Sequence, residues 1–336
     1  MILPKPFCRV GCALAIAVGI LVQVSSAAEP LETPKLSEAA RSGWLNFGLL
    51  SGKVTLTGSR FGSINSTSSS NGRTERLTIR ATGSGPAVKY EMTGSRGGFT
   101  LEVSAQDQLS IQWKPEGESS VPVKFWQEPG EKVNLEIGAA GTEKVCRAPS
   151  IWHLLIAEPA AARQHLVPIL KLFQFDMDTA AAADQVESIL LTAGAPVVVP
   201  DRQRWAALIE RLGAESFAQR EEADRELREA GRMVVTYLER LDPRQLDAEQ
   251  QYRIRRIIQS VSAGTGNDTP ERVAAWLAGD PSVWLSLLAR DDESARRMAS
   301  VRLQKLLGHP ITFDPTAAAD ARAAQIEQLR LQLAPK

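Results

Sequence analysis

Histidines, clustered carboxylates and arginine-rich stretches are the residues of this sequence whose chemistry could reach beyond its own fold. The histidines are His153, His165 and His309. A zinc set of His153, Glu158 and His165 fails on spacing, because a metalloprotease helix needs two histidines one turn apart with the glutamate between them. Single imidazoles of this kind are read as packed or surface groups that find a local hydrogen-bond partner. Asp176, Asp178 and Asp184 match a calcium loop only in part: Ala180 falls where an oxygen ligand is required, and no glycine allows the turn. Gly83-Ser84-Gly85 and Gly264-Thr265-Gly266 lack the strand-to-helix setting of a phosphate cradle. There is no G-x-S-x-G elbow, and Cys146 has no local partner motif. These readings assign no catalytic residue, no metal ligand and no cofactor.

Two features suit contact with another molecule. The stretches Gln219–Arg232 and Arg253–Arg256 are rich in Glu and Arg, the ordinary composition of a solvated helix face but also of a recognition surface. Trp126 falls on the wet side of an alternating strand, where an aromatic ring can cap a ligand or partner site. Arg255, Arg256 and Trp126 are therefore the candidate partner surface.

The elements that must position these residues differ along the chain. Lys5 and Arg9, an apolar run from about Gly11 to Val24, and Ser25-Ser26-Ala27-Ala28 form the tripartite layout of a secretory signal peptide over residues 1–28. The run is too short for a spanning helix, so export to the periplasm or exterior without stable membrane insertion is expected. Removing that leader takes two of the 39 basic residues and none of the 39 acidic ones, leaving a formal charge of −2. Such a balance argues against a nucleic-acid partner. Cys8 and Cys12 leave with the leader, so Cys146 remains alone and no disulfide framework can form within the chain. It is read as a small buried hydrophobe, with pairing to another chain as the alternative.

Glycine then divides the remainder: 15 fall in residues 29–148 and 7 in residues 149–336. In the first part apolar residues recur with period two, as in Phe99, Leu101, Val103 and in Leu109, Ile111, Trp113. This predicts about eight antiparallel strands in a meander with one dry face, Val54–Leu56 among them. Ser59–Gly72 reads as a mobile hairpin loop or excursion. The apolar segment Ile151–Phe173 supplies helices to cover the dry face. Beyond it the spacing is helical: Trp205, Leu208, Ile209 and Leu212 make one stripe. Ser216/Gln219 and Asp247/Gln250 read as capping boxes, and Thr269-Pro270 and Asp280-Pro281 as capped starts.

Arg220, Ala223 and Leu227 recur as Arg296, Ala299 and Leu303 in the pattern R-x-x-A-x-x-x-L, and two units of about 38 residues fit the interval, near the length of a helix pair in stacked arrays. The stretch from Ile209 through Leu227 and Gly231, with a Leu-Gly turn, a Ser-Phe start and an Arg-Glu-x-Ala core, resembles HEAT-like repeats of exported bacterial proteins. Arg255-Arg256 resembles the paired arginines that end the family's next helix. The tail residues Leu303, Leu306, Gly308, Asp314, Pro315 and Arg322 are similar as well. Met233 to Tyr237 depart from the family, which has a proline-bearing helix start there. The resemblance covers roughly residues 200–333 and implies a stacked helical fold and a scaffolding habit, without catalytic residues.

The fold class expected is α+β: a β-rich domain over residues 40–174, a meander covered by helices, followed by an all-α HEAT-like array over residues 178–336. The function expected is a non-catalytic exported scaffold binding a protein partner. Its alternative is a carrier holding a small apolar ligand or lipid between the sheet and helices 151–173. An enzyme built on acids that converge only in space is the third reading.

Overall fold

Alternation of apolar and polar residues builds the first half of the molecule strand by strand. The computed structural model describes residues 36, 38–39, 42, 44–59, 63–82, 85–95, 97–104, 108–116, 121–192, 201–263 and 268–333. The signal-peptide expectation for residues 1–28 lies outside them. Eight strands form one antiparallel meander in chain order: β3 (Ile64–Ser70), β4 (Arg73–Thr82), β5 (Gly85–Gly94), β6 (Gly97–Val103), β7 (Leu109–Pro115), β8 (Val123–Gln127), β9 (Val133–Ile137) and β10 (Lys144–Ala148). Register carries the dry face across it, with Val88 opposite Val103, Leu101 opposite Ile111 and Phe125 opposite Leu135. Each of these side chains is buried, which contributes about 1.5–3 kcal/mol apiece.

Two sequence expectations are corrected here. Val54–Leu56 is not part of the meander: it lies in β2 (Lys53–Ser59), which pairs only with β1 (Leu45–Leu50) in a separate two-stranded sheet. The Ser59–Gly72 segment is not a loop throughout, because Ile64–Ser70 is the edge strand β3, in register with β4 from Ile64↔Ile79 to Ser70↔Arg73. Asn71 and Gly72, with φ of 51° and 70°, make the tight turn between them, the pairing that an Asn-Gly dipeptide favours. Most of β3 is exposed on both faces, so no apolar period announces it.

Helix α1 (Ile151–Ala157) follows β10 at once, capped by the Ser150 hydroxyl. Ile151, Trp152, Leu154, Leu155 and Ile156 join the core beneath the sheet, as do Leu166, Ile169, Leu170 and Phe173 from the broken helical run that follows. The break has a local cause. Pro168 has no N–H to donate four residues back, and the turn before it widens so that Val167 bonds to Ala162, five residues back. Asp178 then caps α2 (Thr179–Leu191), which is the role of that aspartate.

The helices beyond are α3 (Arg202–Leu212), α4 (Phe217–Glu229), α5 (Arg232–Leu238), α6 (Ala248–Ala263), α7 (Pro270–Leu277), α8 (Pro281–Leu287), α9 (Glu293–Leu307) and α10 (Ala319–Leu333). Asp247 and Gln250 form a reciprocal capping box, whereas the Ser216 side chain makes no cap bond. Thr269 and Asp280 cap α7 and α8. Burial is shared out unevenly: α7, α8, α9 and α10 contribute Leu277, Trp284, Leu303 and Leu329 to the sheet's own core. Trp205, Leu208, Leu212, Ala223, Leu227, Val234, Leu238 and Ile257 form a second core among α3, α4, α5 and α6.

The recurring R-x-x-A-x-x-x-L residues occupy matching places. Ala223, Leu227, Ala299 and Leu303 are fully buried. Arg220 donates to the carbonyls of Ala214 and Glu215, and Arg296 to those of Arg290 and Asp291, so each arginine ties down the loop six and five residues before it.

Candidate functional site

Asp268 and Asp280, two buried carboxylates, organise the junction between sheet, α1 and the later helices. Asp268 has a fully buried side chain that accepts from the N–H groups of Ser51 (3.1 Å) and Gly52 (2.7 Å), from Trp152 Nε1 (2.7 Å) and from Arg232 Nη1 (2.7 Å). Its own N–H reaches Leu49 O at 2.9 Å. It therefore seats the turn of the β1–β2 hairpin, whose Ser51 and Gly52 both hold positive φ (54° and 69°). Gly52 packs so closely that a Cβ there would stand 2.5 Å from Ser150 Cβ. Gln127, also buried, grips the next strand of the hairpin through both Val54 N and Val54 O.

Asp280 repeats the arrangement one residue along α1. It accepts from Arg240 Nη2 at 2.7 Å, from Ser282 N at 2.8 Å and from His153 Nε2 at 3.2 Å. Burial pushes its carboxyl up, but the bond and charge from His153 and the charge of Arg240 hold it well below the usual carboxylate range. Trp276 serves both nodes: Arg232 lies over its ring at 5.5 Å, and His153 meets its edge at 5.6 Å. Glu239, beside Arg240, has its carboxyl pushed up to about 7 by burial, against the opposing charges of Lys53 and Arg240.

His153 Nδ1 lies 2.7 Å from Ser150 Oγ, so serine, histidine and aspartate form one hydrogen-bonded chain. Serine, histidine and aspartate stand in the order of a nucleophile relay. Access decides its role. Ser150, His153 and Asp280 are 0%, 4% and 3% exposed, and Gly52 lies directly over the serine oxygen. The hydroxyl is covered while the hairpin is seated, and the chain of bonds ties α1 to the start of α8. Sequence reading placed His153 among packed imidazoles but found neither partner, since Asp280 is 127 residues away.

The predicted contact residues fall on two different surfaces. Arg255 and Arg256 are exposed on α6, with Arg256 lying 5.7 Å over the ring of Tyr252. Trp126 is half-buried on the outer face of the sheet, between Ser110 and Asn134, with Lys124 Nζ 4.7 Å from its ring. The helices pack on the opposite face, and no contact joins Trp126 to the arginines among the described residues.

Sequence reasoning missed the aromatic residues that flank the arginines. Phe217 at the start of α4 is 64% exposed and Tyr252 on α6 is 51% exposed. Arg220 lies over Phe217 at 5.7 Å, reaches Glu249 of α6 at 3.6 Å, and Glu221 bridges to Arg253 at 2.8 Å. The signal available was an apolar residue at a helix start lying off the buried stripe.

Cys146 is buried, and burial pushes its thiol up. Among the described residues no group of three or more His, Cys, Asp and Glu side chains could hold a metal, and no helix is long and apolar enough to cross a membrane. Comparison with known proteins finds no matching family model, no matching curated protein and no matching solved structure.

Proposed function

We propose that this protein is a non-catalytic exported scaffold whose α4–α6 surface captures a protein partner. One observation carries the reading: Phe217 and Tyr252, two large rings left in water on adjacent helices, each with an arginine laid across it. Aromatic residues and arginine are the types enriched where protein interfaces bury their centre, and each of these two exposed rings carries an arginine across its face. The resemblance of residues 200–333 to HEAT-like arrays supports the same reading, because stacked helices offer an extended surface. The alternative, a carrier of a small apolar ligand or lipid between the sheet and helices 151–173, would have to hold it among Tyr90, Phe99, Phe125 and Trp152, all fully buried.

The test is gentle affinity isolation of the tagged chain from the envelope fraction of its own organism, followed by native mass spectrometry, beside a Phe217→Ser/Tyr252→Ser variant of verified fold. A protein that accompanies the parent chain and is lost from the variant is the expected result. A solitary parent chain would overturn the reading, as would a partner held equally by the variant.

A further inference from the structure

Among the described residues of α4 and α6, charge is paired except at two neighbouring arginines. On α4, Arg220 meets Glu249, Arg225 meets Glu229 and Arg228 meets Asp224; on α6, Arg253 meets both Glu221 and Glu249. The carboxylates Glu222 and Glu226 are taken by Arg211 and Arg204 of α3. Among the described residues of α4 and α6, Arg255 and Arg256 alone of the arginines have no carboxylate within bridging distance, and both stand exposed beside Tyr252. Positions 252, 255 and 256 are separated by three and four residues, so the ring and both guanidinium groups share one side of the helix.

We infer that the partner presents an acidic segment, whose carboxylates are gripped by Arg255 and Arg256 while an apolar side chain beside them covers Tyr252. This rests on the scaffold reading and adds the chemistry of what is bound. Guanidinium groups match carboxylates in planar, two-point hydrogen bonds, and an arginine already laid on a ring gives up less freedom when it binds. Charge complementarity sets the occupant. Two cations are too few for an anionic membrane, which engages clusters of about 4–8 Lys and Arg. They are also too few for a nucleic acid, held through roughly 6–10 phosphate contacts.

The experiment measures fluorescence anisotropy of a labelled peptide of alternating glutamate and leucine against the full chain. The comparison chains are Arg255→Ala/Arg256→Ala, Arg255→Lys/Arg256→Lys and Arg202→Ala, the last an exposed arginine on α3. Saturable binding that weakens with salt is expected, with Kd raised about tenfold or more in the double alanine variant, less in the lysine variant and not at all in Arg202→Ala. A glutamine-for-glutamate peptide bound equally well would overturn the inference. So would unchanged affinity in the double alanine variant, or tighter binding of phosphatidylserine vesicles than of the acidic peptide. Any of these results, with a partner still captured from native material, removes the acidic segment and leaves the scaffold reading standing.

Discussion

The two cores hold together by different means. Beneath the sheet, charge is drawn inside: Asp268 and Asp280 are sealed from water and satisfied by Trp152, His153, Arg232, Arg240 and backbone N–H groups. Around α3, α4 and α6, charge lies mostly on the rim, where exposed pairs such as Arg204–Glu226 are screened by water and add little to stability. Burial makes the first arrangement specific and intolerant of change, while the second leaves a surface that can vary without unfolding what lies beneath. Helix α5 belongs to both regions. Val234 and Leu238 pack in the second core, while Arg232 at its start and Arg240 just past its end reach the carboxylates of the first.

The largest expected effect breaks this contrast at its strongest point. Asp268→Ala leaves Arg232 without its carboxylate and strands the Ser51, Gly52 and Trp152 donors, so a loss of about 3–5 kcal/mol is expected in urea unfolding. A loss under about 1 kcal/mol would show that the hairpin seats without it. Next come Leu227→Ala and Leu303→Ala, each fully buried and each expected to cost about 2–5 kcal/mol. Hydrogen exchange should rise in residues 205–257 for the first, and in the sheet, α8 and α9 for the second. Identical exchange patterns would mean that the two cores open as one.

Smaller effects sharpen the comparison through pH. The carboxyl of Glu239 lies at about 7 in the folded protein against 4.5 when unfolded. Its neutral form is therefore favoured by folding, and that stability is complete below pH 4.5 and lost as pH rises through 7. Glu239→Gln should stabilise at pH 8 by on the order of 1–3 kcal/mol and have little effect at pH 4, as checked by thermal unfolding at both values. Asp280 has the opposite sign: its carboxyl is depressed when folded, so its contribution is present above its ordinary 3.8 and is lost as acid is added. Smallest of all, Arg255→Ala/Arg256→Ala should change stability by no more than about 0.5 kcal/mol, since both side chains are exposed.

Alternation in β5 to β9 made the meander readable, because a side-chain period of two is the geometry of a strand with one face in water and one in the core. β3 escaped, since Ser66 to Ser70 offer neither an apolar face nor a charge pattern. β1 escaped because Leu45, Leu49 and Leu50 do not alternate cleanly. Asp280 was legible as a cap before Pro281, but its second role toward His153 and Arg240 depends on tertiary approach. Asp268 was hidden by its neighbour, for the cap signal at Thr269-Pro270 drew attention one residue away. Arg255 and Arg256 stood out by resemblance and composition, whereas the isolation of their charge required knowing where every nearby glutamate ends up.

The bonds from Asp268 to Ser51 and Gly52 span 217 and 216 residues of sequence. A chain emerging from the ribosome amino end first completes β1 and β2 long before the residue that seats their turn exists. Ser51 must hold its left-handed backbone, Gly52 its close approach to Ser150, and Trp152 its indole N–H without their acceptor until synthesis has passed residue 268. The turn of that hairpin thus gains its carboxylate only once residue 268 has been made, whereas Gln127 and the N–H of Ile151 can hold Val54 and Gly52 earlier.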